Sequence, residues 1–390
     1  MKLIDVNQHL KELIGKKSNY KCCSFSVLDN LSDPNITFND HGICNYYYDY
    51  YGNVKAFHKI HNDKKSFIKK KISQIKKHQA SKKYDCLIGL SGGVDSSYLC
   101  LYAKSEGLNP LIVHFDNGWN SELAQMNIEQ IVTKLDFDLV THVVDWDEFK
   151  LMQRAFIKAS VVDIETLTDH AFMSTLYEQA QKWKIKYVLA GTNFKTEYTL
   201  PSFWWFNKND RINIADIVNK NGDKKFKDLK TFPSRSPEQI LLFNKIHNIE
   251  YVDPLNFIEY DPESAKSELI SSIGWREYSG KHHESIWTRF YQGYILPVKF
   301  NIDKRQAHLS DLIFLGKINR DDAQKILNKP TYDKNLIIQD YEYVLKKLDI
   351  MESEFQNYLN TERVEHTHYE YDRGFKKRYK LLWKIAKFFK

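Results

Sequence analysis

Disulfide chemistry, membrane-spanning segments and strong charge are all missing from this sequence. Five cysteines occur in 390 residues, and this odd, low count argues against a disulfide scaffold. No window offers the ~18 consecutive apolar residues of a membrane-spanning helix. The first residues, MKLIDVNQHLKELIGKK, contain no apolar core of signal-peptide length. We therefore expect a soluble, cytoplasmic protein.

The charge balance is only mildly basic. The net charge of +7 fits an anionic substrate such as a nucleotide, but it is weak for a protein that binds nucleic acid. We expect no nucleic-acid partner. Hydrophobic residues make up 42% of the chain, which is enough to build a sizeable core.

From residue 84 onward, short apolar runs alternate with amphipathic segments. The runs CLIGL, LIVHF, LVTHVVD and YVLAG predict four strands, and the intervening segments predict helices. Strands separated by helices of this length predict an α/β fold with a doubly wound parallel sheet. In such sheets, ligands bind at the carboxyl ends of the strands.

The rest of the chain divides around this alternation. Residues 1–56 predict a small N-terminal module, and residues 57–83 a basic linker helix that packs through Ile68, Ile72 and Ile75. Residues 84–260 form the predicted α/β domain. Beyond it, the strand pattern fades, so we expect residues 261–390 to be a helical substrate or partner region with a basic tail.

The first predicted strand runs directly into SGGVDSS. Glycines let a ligand approach the main chain, and the free N–H groups of a turn and a helix start attract phosphate. The residues predicted to build this phosphate site are Ser91, Gly92, Gly93, Asp95, Ser96 and Ser97. Asp95 is itself anionic, so its expected role is to hold Mg²⁺. The Walker pattern with its lysine is absent.

This stretch resembles the pyrophosphate loop (PP-loop), S-G-G-x-D-S, of the ATP pyrophosphatases, which have an adenine nucleotide alpha hydrolase-like fold. Those enzymes cleave ATP between the α and β phosphates. VHFDNGWN follows the second strand, and we expect His114, Asp116 and Asn117 to contact the nucleoside.

LAGTNFKTE, after the fourth strand, resembles the G-T-x-N-x-x-E motif of ammonia-dependent NAD synthetases, with one residue fewer before the asparagine. The resemblance implies that Gly191, Thr192 and Asn193 contact ATP and that Glu197 is a second Mg²⁺ ligand. The alternative for Glu197 is an ordinary solvated loop residue.

A narrower resemblance rests on long segments, among them THVVDWDEF, LKTFP, GWREYSGKHHESIWTRFYQGYILPVKF and IDKRQAHLSDLI. Together they resemble the N-acetyl sugar amidotransferases of bacterial surface-polysaccharide synthesis, from about residue 20 to about residue 350. This implies ATP-dependent conversion of an acetamido group on a nucleotide-activated sugar into an acetamidino group, in lipopolysaccharide, O-antigen or other surface-glycan synthesis. It also implies ammonia from a separate glutaminase subunit, and it leaves a cyclase-like subunit open.

The segment GKHHESIWTRFYQGY is the predicted substrate-facing part of the helical region. Lys281 and His282 are catalytic candidates. Substrate-binding candidates are His170, His283, Arg289, Tyr291, Lys304, Arg305 and His308. The alternative is a polar helix surface with buried aromatics. Asp169 and His170 suit either an acid–base pair or, for Asp169, a helix cap. No covalent nucleophile is expected, because Cys86 and Cys100 are predicted core residues.

The chain departs from this family at both ends. The family module resembles a zinc knuckle with two C-x-x-C pairs. Here the second cysteine of each pair is replaced, because Ser26 stands three residues after Cys23 and Tyr47 three residues after Cys44. Structural zinc takes four N or S ligands, so we expect the site to be lost and the module to persist by packing. The basic, aromatic tail, with Trp383, suits an anionic membrane surface, a partner protein or a frayed end.

Two rival functions stay open. A tRNA thiolase with the same loop would need cysteines poised near it, whereas Cys86 and Cys100 fall on predicted buried elements. A catalytically idle scaffold of a glycan-assembly complex is favoured by the degenerate cysteine module. It is opposed by the intact loop with Asp95 and Glu197.

Overall fold

A sheet of five parallel strands forms the centre of the α/β part of the chain. The computed structural model describes residues 3–61, 63–79, 82–194 and 197–374. The strands are β1 (Leu87–Gly89), β2 (Leu111–Asp116), β3 (Leu139–Val143), β4 (Tyr187–Leu189) and β5 (Glu250–Val252). Their order is β3-β2-β1-β4-β5, with every neighbouring pair parallel. The predicted parallel sheet is confirmed, and its order creates a switch point between β1 and β4.

The helices surround this sheet and extend beyond it in the C-terminal half. Within the described residues they are α1 (Val6–Lys16), α2 (Asn45–Ile60), α3 (Lys64–Gln79), α4 (Val94–Ser105), α5 (Glu122–Leu135), α6 (Trp146–Ala159), α7 (Thr166–Trp183), α8 (Arg211–Asn221), α9 (Pro237–His247), α10 (Pro262–Ile273), α11 (Ile286–Phe290), α12 (Leu296–Phe300), α13 (Arg305–Phe314), α14 (Arg320–Leu327), α15 (Lys334–Leu348) and α16 (Glu352–Asn360). None of the described helices is long and apolar enough to cross a bilayer.

Alternate strand residues bury into two different cores, as the two-residue period of a strand requires. Ile88 and Ile112 pack with apolar residues of α3, α4, α5 and α10. Leu87 and Leu111 face the opposite side, where α7 and α9 cover them. Helices therefore cover both faces of the sheet, which confirms the doubly wound architecture.

The basic segment before the sheet differs from the expected single linker helix. Ile68, Ile72 and Ile75 are buried on α3 as predicted. However, residues 57–60 continue α2, which begins in the N-terminal module at Asn45, and α3 starts only at Lys64. The division into four regions stays a prediction.

The N-terminal module and the C-terminal helices share one core. Cys23 and Cys44 are buried in the same cluster as Trp287 and Tyr294. The Arg320 guanidinium donates to the carbonyl of Cys23 at 3.1 Å and to that of Ser26 at 3.0 Å. The module is therefore anchored by packing and main-chain hydrogen bonds.

The remaining predictions, for the cysteines and the tail, have different outcomes. Cys86 and Cys100 are fully buried, so the prediction of core residues is confirmed, and burial raises the pKa of both thiols. In the part of the chain that the structure describes, no group of three or more His, Cys, Asp or Glu is arranged to hold a metal. The loss of zinc remains a prediction. The basic tail from residue 375, including Trp383, Ile385, Phe388 and Phe389, lies outside the described residues.

Candidate active site

One large cavity opens at the carboxyl ends of the strands. Its volume is about 1390 Å³, above the ~300–1,000 Å³ typical of a site for one small ligand. Residues at the ends of β1, β2 and β4 line one wall, among them Ser91, His114 and Thr192. Segment 279–285 and helices α13 and α15 line the other. The cavity therefore has room for two substrates.

Glycine sets the backbone conformation of the loop after β1, and residues outside the loop hold it by hydrogen bonds. Gly92 has φ +85°, a backbone conformation that L side chains rarely adopt. Its carbonyl accepts hydrogen bonds from Trp275 Nε1 and from the Tyr278 hydroxyl, both at 3.0 Å. Gly93 is the N-cap of α4, and no side chain caps that helix. The first turn of α4 thus has the geometry that attracts a phosphate.

The serines of the loop have different surroundings. Ser91 lines the cavity, and its hydroxyl lies 3.2 Å from the hydroxyl of Ser96. Ser97 is fully buried, with no hydrogen-bond partner for its hydroxyl among the described residues. Of the loop residues predicted to bind ATP, Ser91 is the one found among the described residues that line the cavity.

Two carboxylates meet beside the loop. The Tyr260 hydroxyl donates to Asp95, and Lys281 Nζ lies 3.2 Å from Glu197 Oε1. Burial raises the pKa of Asp95, and the negative charge of Glu197 raises it further. Burial opposes ionisation of Glu197 too, but the positive charge of Lys281 holds its pKa below its ordinary value.

This pair fits Mg²⁺. Magnesium in nucleotide sites is usually held by one or two carboxylates together with phosphate oxygens and water. Asp95 and Glu197 supply two carboxylates that are close enough to repel each other electrostatically, next to a loop suited to phosphate. Phosphate and water would complete the coordination shell.

The end of β2 contributes a rigid, neutral histidine. His114 Nδ1 lies 2.7 Å from the carbonyl oxygen of Leu90, so Nδ1 carries the proton, and Nε2 can accept from Asn120 Nδ2 at 2.9 Å. Burial lowers the pKa of His114. Asn117 lines the cavity and donates to the Thr168 hydroxyl at 3.0 Å. Asp116 instead accepts from the Gly118 amide at 2.8 Å and is not among the lining residues.

The end of β4 presses against the loop. A Cβ on Gly191 would lie 3.2 Å from the carbonyl carbon of Asp95 and from the Ser96 nitrogen, so a side chain here would push the loop main chain by a few tenths of an ångström. Thr192 lines the cavity and donates to Asp253 at 2.5 Å, while Asn193 is buried. Close packing of the two strand ends brings Glu197 to Asp95.

Segment 279–285 crosses in front of the loop. His282 has φ +62°, which is uncommon for a residue with a side chain. The Glu284 Oε1 atom lies 3.3 Å from the position of a Cβ on Gly93. His283 lines the cavity and pairs with the Ser279 hydroxyl at 2.9 Å, and burial lowers its pKa to about 4. The segment thus brings Lys281, His282 and His283 to the cavity, as predicted.

Two predicted substrate-binding arginines are engaged within the protein. Arg289 makes a bidentate ion pair with Asp340, at 2.7 and 2.8 Å. Arg305 binds Asp303 and also donates to main-chain carbonyls at the end of α14. Both line the cavity, but their guanidinium groups are held by these partners. These pairs support the wall of the cavity, and direct substrate binding by the two arginines stays a prediction.

Two other predictions of substrate contact are corrected by burial. The Tyr291 ring is 3% exposed, and its hydroxyl donates to the Val162 carbonyl at 2.5 Å, so it cannot stack on a sugar or base. His170 is buried between the Lys208 carbonyl and the Ser234 hydroxyl. Asp169 does line the cavity, paired with Lys208 Nζ at 3.0 Å. It is not a helix cap, because α7 begins at Thr166.

Lys304 and His308 remain in place on the second wall. Both line the cavity from the start and first turn of α13. The Lys304 side chain forms no hydrogen bond or ion pair with a residue in the described ranges, and its positive charge helps to lower the pKa of Glu197. Sequence reasoning missed Tyr260, Glu284 and Asp311, whose roles arise only from contacts between distant segments.

The fold and the loop define a class, a parallel α/β protein with the sequence Ser-Gly-Gly-Val-Asp-Ser between β1 and the first turns of α4. Residues 284–386 match a family described as "LPS biosynthesis protein WbpG-like, C-terminal domain". The resemblance to a surface-polysaccharide family is thereby confirmed for this part of the chain. No curated protein matches the sequence.

Solved structures of similar fold include an NH3-dependent NAD synthetase from Campylobacter jejuni (14% identity, 74% of this chain and 97% of that chain, TM-score 0.28). Others are an NMN synthetase from Francisella tularensis (14%, 58% and 92%, 0.28) and the U34-tRNA thiolase NcsA from Methanococcus maripaludis (12%, 67% and 80%, 0.25). Similarity this low carries no argument about chemistry.

Proposed function

We propose that this protein is an ATP-dependent amidotransferase that forms AMP and pyrophosphate. Its substrate would be a nucleotide-activated N-acetyl sugar whose acetamido group becomes an acetamidino group, in surface-polysaccharide synthesis. One observation carries the proposal: a single cavity is lined by the phosphate-type loop at Ser91 and by the region that matches the WbpG-like family.

The chemistry balances in two steps. The acetamido oxygen attacks the α-phosphorus of ATP, pyrophosphate leaves, and the amide nitrogen gives up its proton to leave an O-adenylated imidate. Ammonia then adds to the imidate carbon and AMP departs with the former amide oxygen, which leaves the amidine. The amide oxygen is a poor leaving group until the adenylyl group is attached to it.

The residues of the strand-end wall suit the first step. The α4 N-terminus and Ser91 would hold the phosphates that depart, which stabilises charge as it develops. His114 and Asn117 would position the nucleoside. Mg²⁺ on Asp95 and Glu197 would offset the negative charge of the phosphates. His282, in the same cavity, is our candidate acceptor for the amide proton.

The helical wall suits the nucleotide sugar. Lys304 and His308 would bind its anionic groups, and alignment of both substrates in one cavity supplies much of the rate enhancement. We further propose that a glutaminase subunit delivers the ammonia.

High-resolution mass spectrometry tests this function. Candidate nucleotide sugars are incubated with ATP, Mg²⁺ and ammonium, and the product should lose the mass difference between O and NH while AMP accumulates. Asp95→Asn serves as the inactive control. Formation of ADP in place of AMP would refute the proposal.

The rival functions predict different results in the same assay. A thiolase would require sulfur carriers, yet none of the five cysteines, all of them described, lines the cavity. An idle scaffold would consume no ATP with any nucleotide sugar.

A further inference from the structure

Asp311 is a fully buried carboxylate in the middle of α13. Its residue exposure is 0%, so its charge must be satisfied inside the protein. Oδ2 accepts the N–H of Tyr198 at 3.0 Å, and Oδ1 accepts the N–H of Thr199 at 3.1 Å. Two consecutive main-chain amides of the loop after β4 are thus tied to one side chain of the C-terminal region.

These amides directly follow Glu197. Any shift of the main chain at residue 198 moves the Glu197 carboxylate, because the two residues share a peptide bond. The other side of the loop is held by α2, where the Tyr198 hydroxyl donates to the Asp49 carbonyl at 3.0 Å. The Tyr50 ring lies edge-on to the Tyr198 ring, with 5.2 Å between centroids. The loop after β4 is therefore held between Asp311 on one side and α2 on the other.

The same face of α13 reaches both parts of the cavity. Lys304, His308 and Asp311 are spaced four and three residues apart, so they lie on one side of the helix. Lys304 and His308 line the cavity, and Asp311 holds the loop of Glu197. The helix that carries the proposed sugar-nucleotide contacts thus also fixes a proposed Mg²⁺ ligand.

We propose that Asp311 is a positioning residue that sets the direction of the Glu197 carboxylate toward Asp95. It touches no substrate, and it acts through the main chain of Tyr198 and Thr199. This inference rests on the proposed function, because it assumes that Asp95 and Glu197 bind Mg²⁺ with ATP. Partners that orient metal ligands typically change metal affinity or activity about 10- to 100-fold.

The test uses Asp311→Asn and a binding readout that needs no turnover. The amide keeps the shape of the side chain, but it turns one acceptor into a donor that faces a main-chain N–H. The probe is α,β-methylene-ATP, titrated calorimetrically with Mg²⁺ or with EDTA. We expect the Mg²⁺-dependent gain in affinity to fall about tenfold in the variant, with unchanged affinity in EDTA.

Asp33→Asn is the matched control. Asp33 is equally buried and accepts from the Tyr46 hydroxyl at 2.6 Å, but it belongs to the N-terminal module and does not line the cavity. It should keep the wild-type Mg²⁺-dependent gain. A wild-type gain in Asp311→Asn as well would overturn the inference and leave the proposed function intact. Wild-type protein that does not bind the probe would overturn both.

A second measurement needs no variant. The amide hydrogens of Tyr198 and Thr199 should exchange slowly with solvent in the wild-type protein, because Asp311 accepts both. Exchange at the rate of an open loop would remove the hydrogen bonds on which the inference depends.

Discussion

The two walls of the cavity are built in different ways. The strand-end wall uses main-chain groups and short-range geometry, such as the positive φ of Gly92 and the contact of Gly191 with Asp95. The helical wall uses long side chains whose partners come from elsewhere in the chain. Arg289 pairs with Asp340 and Arg305 with Asp303, whereas Lys304 lines the cavity with no ion pair in the described ranges. A basic residue in such a motif can thus be engaged by a buried carboxylate, which the sequence alone does not reveal.

The largest effect is expected from a substitution in the strand-end wall. Asp95→Ala should reduce pyrophosphate release about 1,000-fold or more, because the Mg²⁺ proposed to offset charge at the reacting phosphates would lose one of its two carboxylate ligands. The thermal unfolding temperature should not fall, since burial already disfavours the ionised carboxylate. Asp223→Asn, at an exposed carboxylate in a long ion pair of 3.8 Å, is the control and should be fully active. Comparable rates in the two variants would contradict the assigned role.

Gly191→Ala should shift the strand-end wall without removing any functional group. The new Cβ would lie 3.2 Å from the main chain of Asp95 and Ser96, so the loop must move. We expect the rate of AMP formation to fall about 100-fold, because small misplacements of reacting groups reduce rates by about this factor. Gly52→Ala, within α2 and with nothing within 4 Å, should stabilise slightly and keep full activity. Equal activity of both variants would show that the contact is not needed.

Lys304→Met and Arg305→Met separate the two kinds of cation on the helical wall. Lys304→Met should raise the KM for the nucleotide sugar about tenfold, with unchanged stability, because one charge-assisted contact is lost. Arg305→Met should instead lower the free energy of unfolding by about 3 kcal/mol, because Asp303 stays buried without its partner. Steady-state kinetics and urea unfolding measure both. The reverse pattern would exchange the roles of the two residues.

The smallest effect concerns pH. Burial lowers the pKa of His170 and of His283 to about 4, from an ordinary value near 6.5. The unfolded chain therefore binds more protons than the folded protein between pH 6.5 and 4, and stability falls as the pH drops through this window. His170→Asn should reduce the slope of unfolding free energy against pH by about 1 kcal/mol per pH unit. An unchanged slope would mean that His170 is already protonated in the folded state.

The sequence predicted the strand-end wall well because its signals are local. The apolar runs, the glycines and the Asp95 position lie within a few residues of one another, and the fold confirms the sheet that they imply. β5 was missed because Glu250 is charged and Tyr251 is exposed, so the strand shows no apolar run like those of β1 and β4.

The helical wall could not be predicted to the same depth. Asp340 lies 51 residues from Arg289, and Asp311 lies 113 residues from Tyr198. Such pairs are created by tertiary packing, which leaves no periodic trace in the sequence. Tyr291 illustrates the same point, since an aromatic residue in a substrate motif can equally be a core residue with a buried hydroxyl bond.

Transfer of ¹⁸O tests the central claim most directly. A nucleotide sugar labelled with ¹⁸O in its acetamido oxygen is turned over with unlabelled ATP and ammonium, and the AMP is analysed by mass spectrometry. If the amide oxygen captures the α-phosphorus in this cavity, the label appears in the phosphate of AMP. Unlabelled AMP, or label retained in the sugar product, would contradict the account.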